Sequence, residues 1–147
     1  DLRGRRFAFT RGSSAHNVAA AALESAGLTF ADVTPVALSP ADAATAFSRG
    51  DIDAWVIWDP YMTVAINEQG ARRLPVPAEL VGGAAFFLAN RAFAEANGEA
   101  LARALDALAA EGRWADANRM EVARLQAEET GLPLALLQDT VGRDDFG

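Results

Sequence analysis

Apolar and polar positions along the chain follow two alternating periods, one of two residues and one near 3.6. Arg5-Arg6-Phe7-Ala8-Phe9-Thr10 puts Phe7 and Phe9 on one face and so predicts a strand, which Gly12-Ser13-Ser14 breaks. Ala15 to Ala26 is Ala- and Leu-rich and predicts a helix stopped by Gly27. Val33 to Leu38 predicts a second strand, with Pro35 tolerated only where it lacks a ladder partner. Ser39-Pro40-Ala41-Asp42 is a helix start: Ser39 at the N-cap, Pro40 at N1 and Asp42 in the acid-favouring first turn. That helix turns Ala43, Ala46 and Phe47 inward and ends at Gly50.

Ile52 to Trp58 is an apolar run broken only by Asp53, the pattern of a strand covered on both faces. Asp59 as N-cap and Pro60 at N1 open another helix, which closes near Gly70. Arg72 to Val76, bracketed by prolines, predicts a short edge strand, and Ala84 to Ala89 a further apolar strand. Beyond Asn90, a further N-cap, helices are expected at 91–97, 99–111, 113–130 and 133–141, punctuated by Gly98, Gly112, Gly131 and Pro133. Strand–helix alternation followed by pure helix predicts an α/β three-layer sandwich with a mostly parallel sheet over 1–85, then a helical segment within 86–147.

Composition narrows the function classes. The 147 residues are 51% hydrophobic and 22% charged, with net charge −7, one histidine and no cysteine. A half-apolar chain of this length forms a packed domain and not a disordered tail. Lack of cysteine excludes thiolate metal sites, Fe–S ligation and cysteine nucleophiles, and a single histidine excludes a paired-histidine metal site. No cofactor or metal is therefore expected. The acidic total argues against a nucleic-acid partner. No apolar run reaches the roughly 18 residues that span a bilayer. All basic residues are Arg, and Arg3, Arg5, Arg6 and Arg11 crowd the first eleven positions. They are either solvated charges flanking a strand or a local field attracting a small anion. With no initiator Met and no signal segment, the sequence reads as a processed chain or an excised piece of a longer one.

In open α/β sheets ligands bind outside the carboxyl ends of the strands. Three loops qualify. In Arg11-Gly12-Ser13-Ser14-Ala15-His16-Asn17, Gly12 admits close backbone approach, the serines supply hydroxyls and the next amides carry the positive end of a helix dipole. An ordinary N-cap explains the same residues. His16 as a general base needs a nucleophile and an orienting acid, and no Gly-x-Ser-x-Gly elbow is present, so catalysis is not expected. Capping fully explains Leu38-Ser39-Pro40-Ala41-Asp42. In Trp58-Asp59-Pro60-Tyr61, Trp58 and Tyr61 read either as a wall against apolar ligand parts or as core.

Together these loops carry a resemblance. Arg3-Gly4-Arg5-Arg6-Phe7-Ala8-Phe9 with Gly12-Ser13-Ser14-Ala15-His16-Asn17, Ser39-Pro40-Ala41-Asp42-Ala43, Asp53-Ala54-Trp55-Val56-Ile57-Trp58-Asp59-Pro60-Tyr61 and Phe86-Phe87-Leu88-Ala89 resembles the aliphatic-sulfonate and taurine-binding proteins of bacterial ABC importers. The resemblance implies a two-lobed type II periplasmic-binding-protein fold. Residues 1 to about 85 would form most of lobe two, and the remainder would return to lobe one, with half the ligand cleft missing. It also implies a periplasmic or outer-face location, permease and ATPase partners, and no chemistry. Gly12, Ser13, Ser14 and His16 would line the anion end, with Trp58 and Asp59 on the opposing rim; Arg11 and Tyr61 are further candidate ligand contacts from the loops themselves. Phe87, where the family commonly has Tyr, and Gly82-Gly83-Ala84-Ala85 depart from the pattern and leave the anion's identity open. A thiamine-pyrimidine synthase-like enzyme and a ligand-sensing domain of a regulator are the alternatives. A half-cleft and helices without their sheet favour a swapped or paired homodimer.

Overall fold

The computed structural model describes residues 2–81, 86–143 and 146. The chain divides into two compact units, Asp1–Gly83 and Ala84–Gly147.

The first unit is built on three strands, β1 (Arg6–Phe9), β2 (Thr34–Ala37) and β3 (Ala54–Trp55), all parallel in the order β2-β1-β3. Between them lie α1 (Ser14–Ser25), a 3-10 turn (Phe30–Asp32) and α2 (Pro40–Ser48), and α3 (Tyr61–Gln69) follows β3. The two-residue period of β1 divides the core. Phe7 and Phe9 pack with Ala19, Leu23, Leu28, Val33 and Ala54 on the α1 face, while Ala8 packs with Ala43 and Ile52 on the α2 face. Helix, sheet and helix thus form the three layers expected.

Capping chemistry sets the helix starts. Ser39 Oγ accepts the Asp42 N–H at 3.2 Å and donates to Asp42 Oδ2 at 2.6 Å. Asp59 caps α3 from one position further upstream than expected: its Oδ1 accepts from Thr63 N–H (3.0 Å) and Thr63 Oγ1 (2.6 Å), and Pro60 takes the cap position. Pro35 survives in β2 for a directional reason. Thr34 N–H donates to Arg5 O at 2.8 Å, so alternation turns the Pro35 nitrogen to the open side of an edge strand.

Several expected elements differ. β3 pairs only at Ala54–Trp55, although Asp53 N–H and Val56 N–H still donate to Arg6 O and Ala8 O, both at 2.9 Å. Its run ends in Trp58, which is 41% exposed, so the strand is not covered on both faces to its end. Residues 72–76 form no strand: Pro75 and Pro77 withhold two donors within three residues, and a short α4 (Ala78–Val81) follows.

In the second unit, residues 86–89 have no ladder, because every described element there is helical. Ala84 and Ala85 lie outside the described residues. Phe86, Phe87 and Leu88 are 79%, 74% and 93% exposed. The helices are α5 (Arg91–Ala96), α6 (Gly98–Ala117), α7 (Arg119–Thr130) and α8 (Leu134–Val141). Asn90 caps α5 as expected, accepting from Ala92 N–H at 3.0 Å. Gly112 does not break the helix, and α6 runs on to Ala117. A Cβ at Gly112 would collide with the Phe146 carbonyl oxygen, so glycine there answers to a close chain approach. Val122, Ala123, Leu136, Leu137 and Val141 form the buried seam of α7 and α8. No helix among the described residues is long and apolar enough to cross a membrane.

At the amino edge of the sheet Arg6 clamps β1 to the turn before β3. Its Nε and NH2 groups donate to the two Asp53 carboxylate oxygens, each at 3.0 Å, and NH2 also reaches Gly50 O at 2.8 Å. The guanidinium, then the Arg6 backbone N–H, hold the Asp53 carboxyl far below the ordinary carboxylate range. A folded-state pKa below the unfolded one stabilises above the unfolded value, and the contribution fades as pH falls toward the depressed one. Asp53→Asn is therefore expected to lower the melting temperature most above about pH 5, with mutant and wild type converging in strong acid. Parallel thermal melts across pH measure this, and a gap that widens on acidification contradicts it.

Candidate functional site

Because the three strands are parallel, all their carboxyl ends open on one edge of the sheet. β1 is central, so its loop into α1 stands between the loops that follow β2 and β3. Thr10 Oγ1 donates to Leu38 O at 3.0 Å and Leu38 N–H to Phe9 O at 3.2 Å, which fastens the first loop to the second.

The β1–α1 turn is self-contained. Gly12 has φ +77°, a left-handed conformation that side chains disfavour. Ser13 does not cap α1 with its side chain; its Oγ donates instead to Thr10 O at 2.7 Å. Gly12 N–H donates to His16 Nδ1 at 3.3 Å. The His16 ring lies on Phe9 with centroids 4.7 Å apart and planes 14° apart, and it packs on Phe30 at 5.6 Å. Arg11 and Ser14 are exposed. In the first turn of α1 the His16 N–H folds back to Ser13 O at 3.1 Å, which leaves the Ser14 and Ala15 amides as the helix-start donors beside them.

The third loop carries Trp58, Asp59 and Tyr61. Trp58 is exposed, Asp59 is engaged by Thr63, and the Tyr61 ring meets Trp55 edge-on at 6.1 Å, with Phe47 at 6.2 Å beyond. Tyr61 is thus half-buried against the α2 side, and of the two rim aromatics only Trp58 is largely open. The structure brings Gly12, Ser13, Ser14 and His16 together in one turn, with Arg11 beside them; Asp59 and Tyr61 serve the start of α3. Sequence reasoning missed Thr10, Phe9 and Phe30 as supports of the turn. A threonine at a strand end was the only local signal.

The early arginine cluster is split by β1. Arg3, Arg5 and Arg6 stand at its amino end, where Arg3 pairs with Asp32 and Arg6 with Asp53. Only Arg11 reaches the carboxyl edge, a strand's length away. No single field from all four arginines forms at the loops. A cleft of about 1010 Å³ beside β3, lined by Phe7, Val18, Trp55, Ile57, Met62 and Leu74 among others, includes none of Arg11–Ser14 or Trp58–Tyr61. Among the described residues no three His, Asp or Glu side chains gather as metal ligands.

A model of the NMT1-like family matches residues 2–128. The chain belongs to the NMT1-like family. Within it, this member is 39% identical over 137 residues to a protein of Escherichia coli strain K12 named as an aliphatic sulfonates-binding protein, covering 93% of this chain and 43% of that one. A Bacillus subtilis strain 168 protein of the same name is 36% identical over 73 residues, covering 50% of this chain and 22% of that one. The crystal structure of the periplasmic aliphatic sulphonate binding protein SsuA from Escherichia coli superposes with TM-score 0.84 at 39% identity, over 97% of this chain and 46% of that one. The alkanesulfonate-binding protein SsuA from Xanthomonas axonopodis pv. citri, bound to MOPS, superposes with TM-score 0.87 at 36% identity, over 96% and 49%. This NMT1-like chain therefore spans under half the length of the relatives it matches. They bear out the resemblance to aliphatic-sulfonate-binding proteins and the α/β fold.

Proposed function

We propose that this chain carries, in its first unit, the anion-holding lobe of the substrate-binding component of an ABC importer for aliphatic sulfonates or a related small organic anion such as taurine. The observation that carries the reading is the central β1–α1 turn. A left-handed glycine presents Ser14, Arg11 and the first amides of α1 at the carboxyl edge of a parallel sheet. A sulfonate matches this set, being a compact anion with three acceptor oxygens and an alkyl tail. Trp58, exposed at the neighbouring strand end, offers an apolar wall for that tail. MOPS, the molecule bound in the Xanthomonas relative, carries its sulfonate on a propyl chain, which fits the same division into polar and apolar ends.

The chain would do no chemistry. It would act outside the cytoplasmic membrane, deliver its solute to a permease driven by an ATPase, and close by lobe movement. The relatives named above are binding proteins, which favours this over an enzyme on the same fold or a sensing domain of a regulator. A homodimer of this chain belongs to the same proposal and is read by sedimentation.

The test is a thermal-shift titration with taurine, ethanesulfonate, MOPS, sulfate, nitrate and bicarbonate. A sulfonate at one hundred times its Kd is expected to stabilise by about 2.7 kcal/mol, a shift of several degrees, with sulfate weaker for want of the tail. Indifference to every sulfonate at 10 mM, with the fold intact, overturns the reading.

A further inference from the structure

Resting on that reading, we infer that His16 is the positioning residue of the anion turn and not one of its ligand contacts. Three elements hold the imidazole: Phe9 at the end of β1 beneath its face, Phe30 on the 3-10 turn at its side, and α1, from which it springs. So held, its Nδ1 accepts the Gly12 N–H across the mouth of the turn at 3.3 Å. The bond requires Nδ1 unprotonated, with the ring's proton on Nε2. Gly12 is the residue whose left-handed backbone decides where Ser13 and Ser14 point. Fixing its amide therefore fixes the orientation of the outward donors. The same bond consumes the Gly12 N–H inside the protein, just as Ser13 Oγ is consumed by Thr10 O at 2.7 Å. Ser14, Arg11 and the Ser14 and Ala15 amides of α1 remain to meet the anion, the His16 N–H being given to Ser13 O.

The charged groups on the elements around the ring are Arg11 in the loop, Arg6 at the opposite end of β1 and paired with Asp53, Glu24 in the last turn of α1, and Asp32 on the 3-10 turn, held by Thr29 and Arg3. None of the described acidic residues forms an ion pair with His16.

The experiment compares the full chain with His16→Phe, which keeps an aromatic ring against Phe9 and Phe30 and removes the acceptor. Amide NMR without ligand reads the Gly12 N–H as the pH is lowered until the imidazole is protonated, and calorimetry at neutral pH reads MOPS affinity. The Gly12 resonance is expected to follow imidazole protonation in the wild type and to lose that response in His16→Phe, whose MOPS affinity falls at least fivefold. A Gly12 amide indifferent to both changes overturns the inference. So does a Gly12 response with unaltered MOPS affinity in His16→Phe, since the turn would then not serve the site. The amide measurement needs no ligand: a wild type that ignores MOPS defeats the sulfonate reading alone, and Gly12 still reports whether His16 holds the turn.

Discussion

Leu23→Ala is expected to destabilise the first unit by roughly 2–5 kcal/mol, the range for emptying a fully buried leucine position that cannot collapse. Leu23 is 1% exposed and lies where α1 meets Phe7, Phe9, Leu28 and Val33. Its carbonyl also accepts from Leu28 N–H at 2.8 Å, so the backbone that ends α1 is held in place and resists filling the void. Leu125→Ala is the internal comparison. Leu125 is 44% exposed on α7, and its loss is expected to stay below about 1 kcal/mol. Urea unfolding followed by circular dichroism measures both. A Leu23→Ala loss below about 1 kcal/mol would mean that α1 does not rest on the sheet as described.

Gly12→Val is expected to weaken sulfonate binding at least tenfold and to lower the melting temperature by several degrees. A left-handed backbone costs an ordinary residue roughly 1–2 kcal/mol, more when it is β-branched. A tenfold change in affinity corresponds to about 1.4 kcal/mol. No atom lies within 4 Å of the position a Cβ would take, so the cost is conformational and not a collision. That distinction has its own control: Gly12→Asn adds a side chain of similar bulk but tolerates the left-handed region, and it is expected to retain most of the affinity. Calorimetry with MOPS on the three proteins decides the matter. Equal losses for Val and Asn would place the effect in side-chain bulk, and no loss in either would remove the turn from the site.

Elements whose signals are local were legible before any coordinates. β1 announced itself by Phe7 and Phe9, α2 by Ser39, Pro40 and Asp42, and the end of α1 by Gly27. The loops at the strand ends followed from parallel topology alone. What was not legible depended on partners far along the chain. The pairing of β3 depends on how far β1 extends, and the run Ala84–Ala89 looks like a strand whether or not another strand meets it. Gly112 resembles a stop signal because glycine weakens helices locally, whereas its reason lies 34 residues away at Phe146. At the site, Gly12 and the serines were readable as a turn. The resting place of His16 was not, since Phe30 arrives from beyond the end of α1. Nor does a list of nearby arginines reveal that a strand carries three of them to the wrong end.

The uncovered Phe86-Phe87-Leu88 stretch has a practical side. A short, uncharged, β-prone stretch without proline is what cross-β assemblies recruit. Concentrated stocks of this chain by itself are expected to aggregate, faster in kosmotropic salts that strengthen apolar association, and light scattering on storage checks this. A charge at Phe87 is the substitution expected to suppress it.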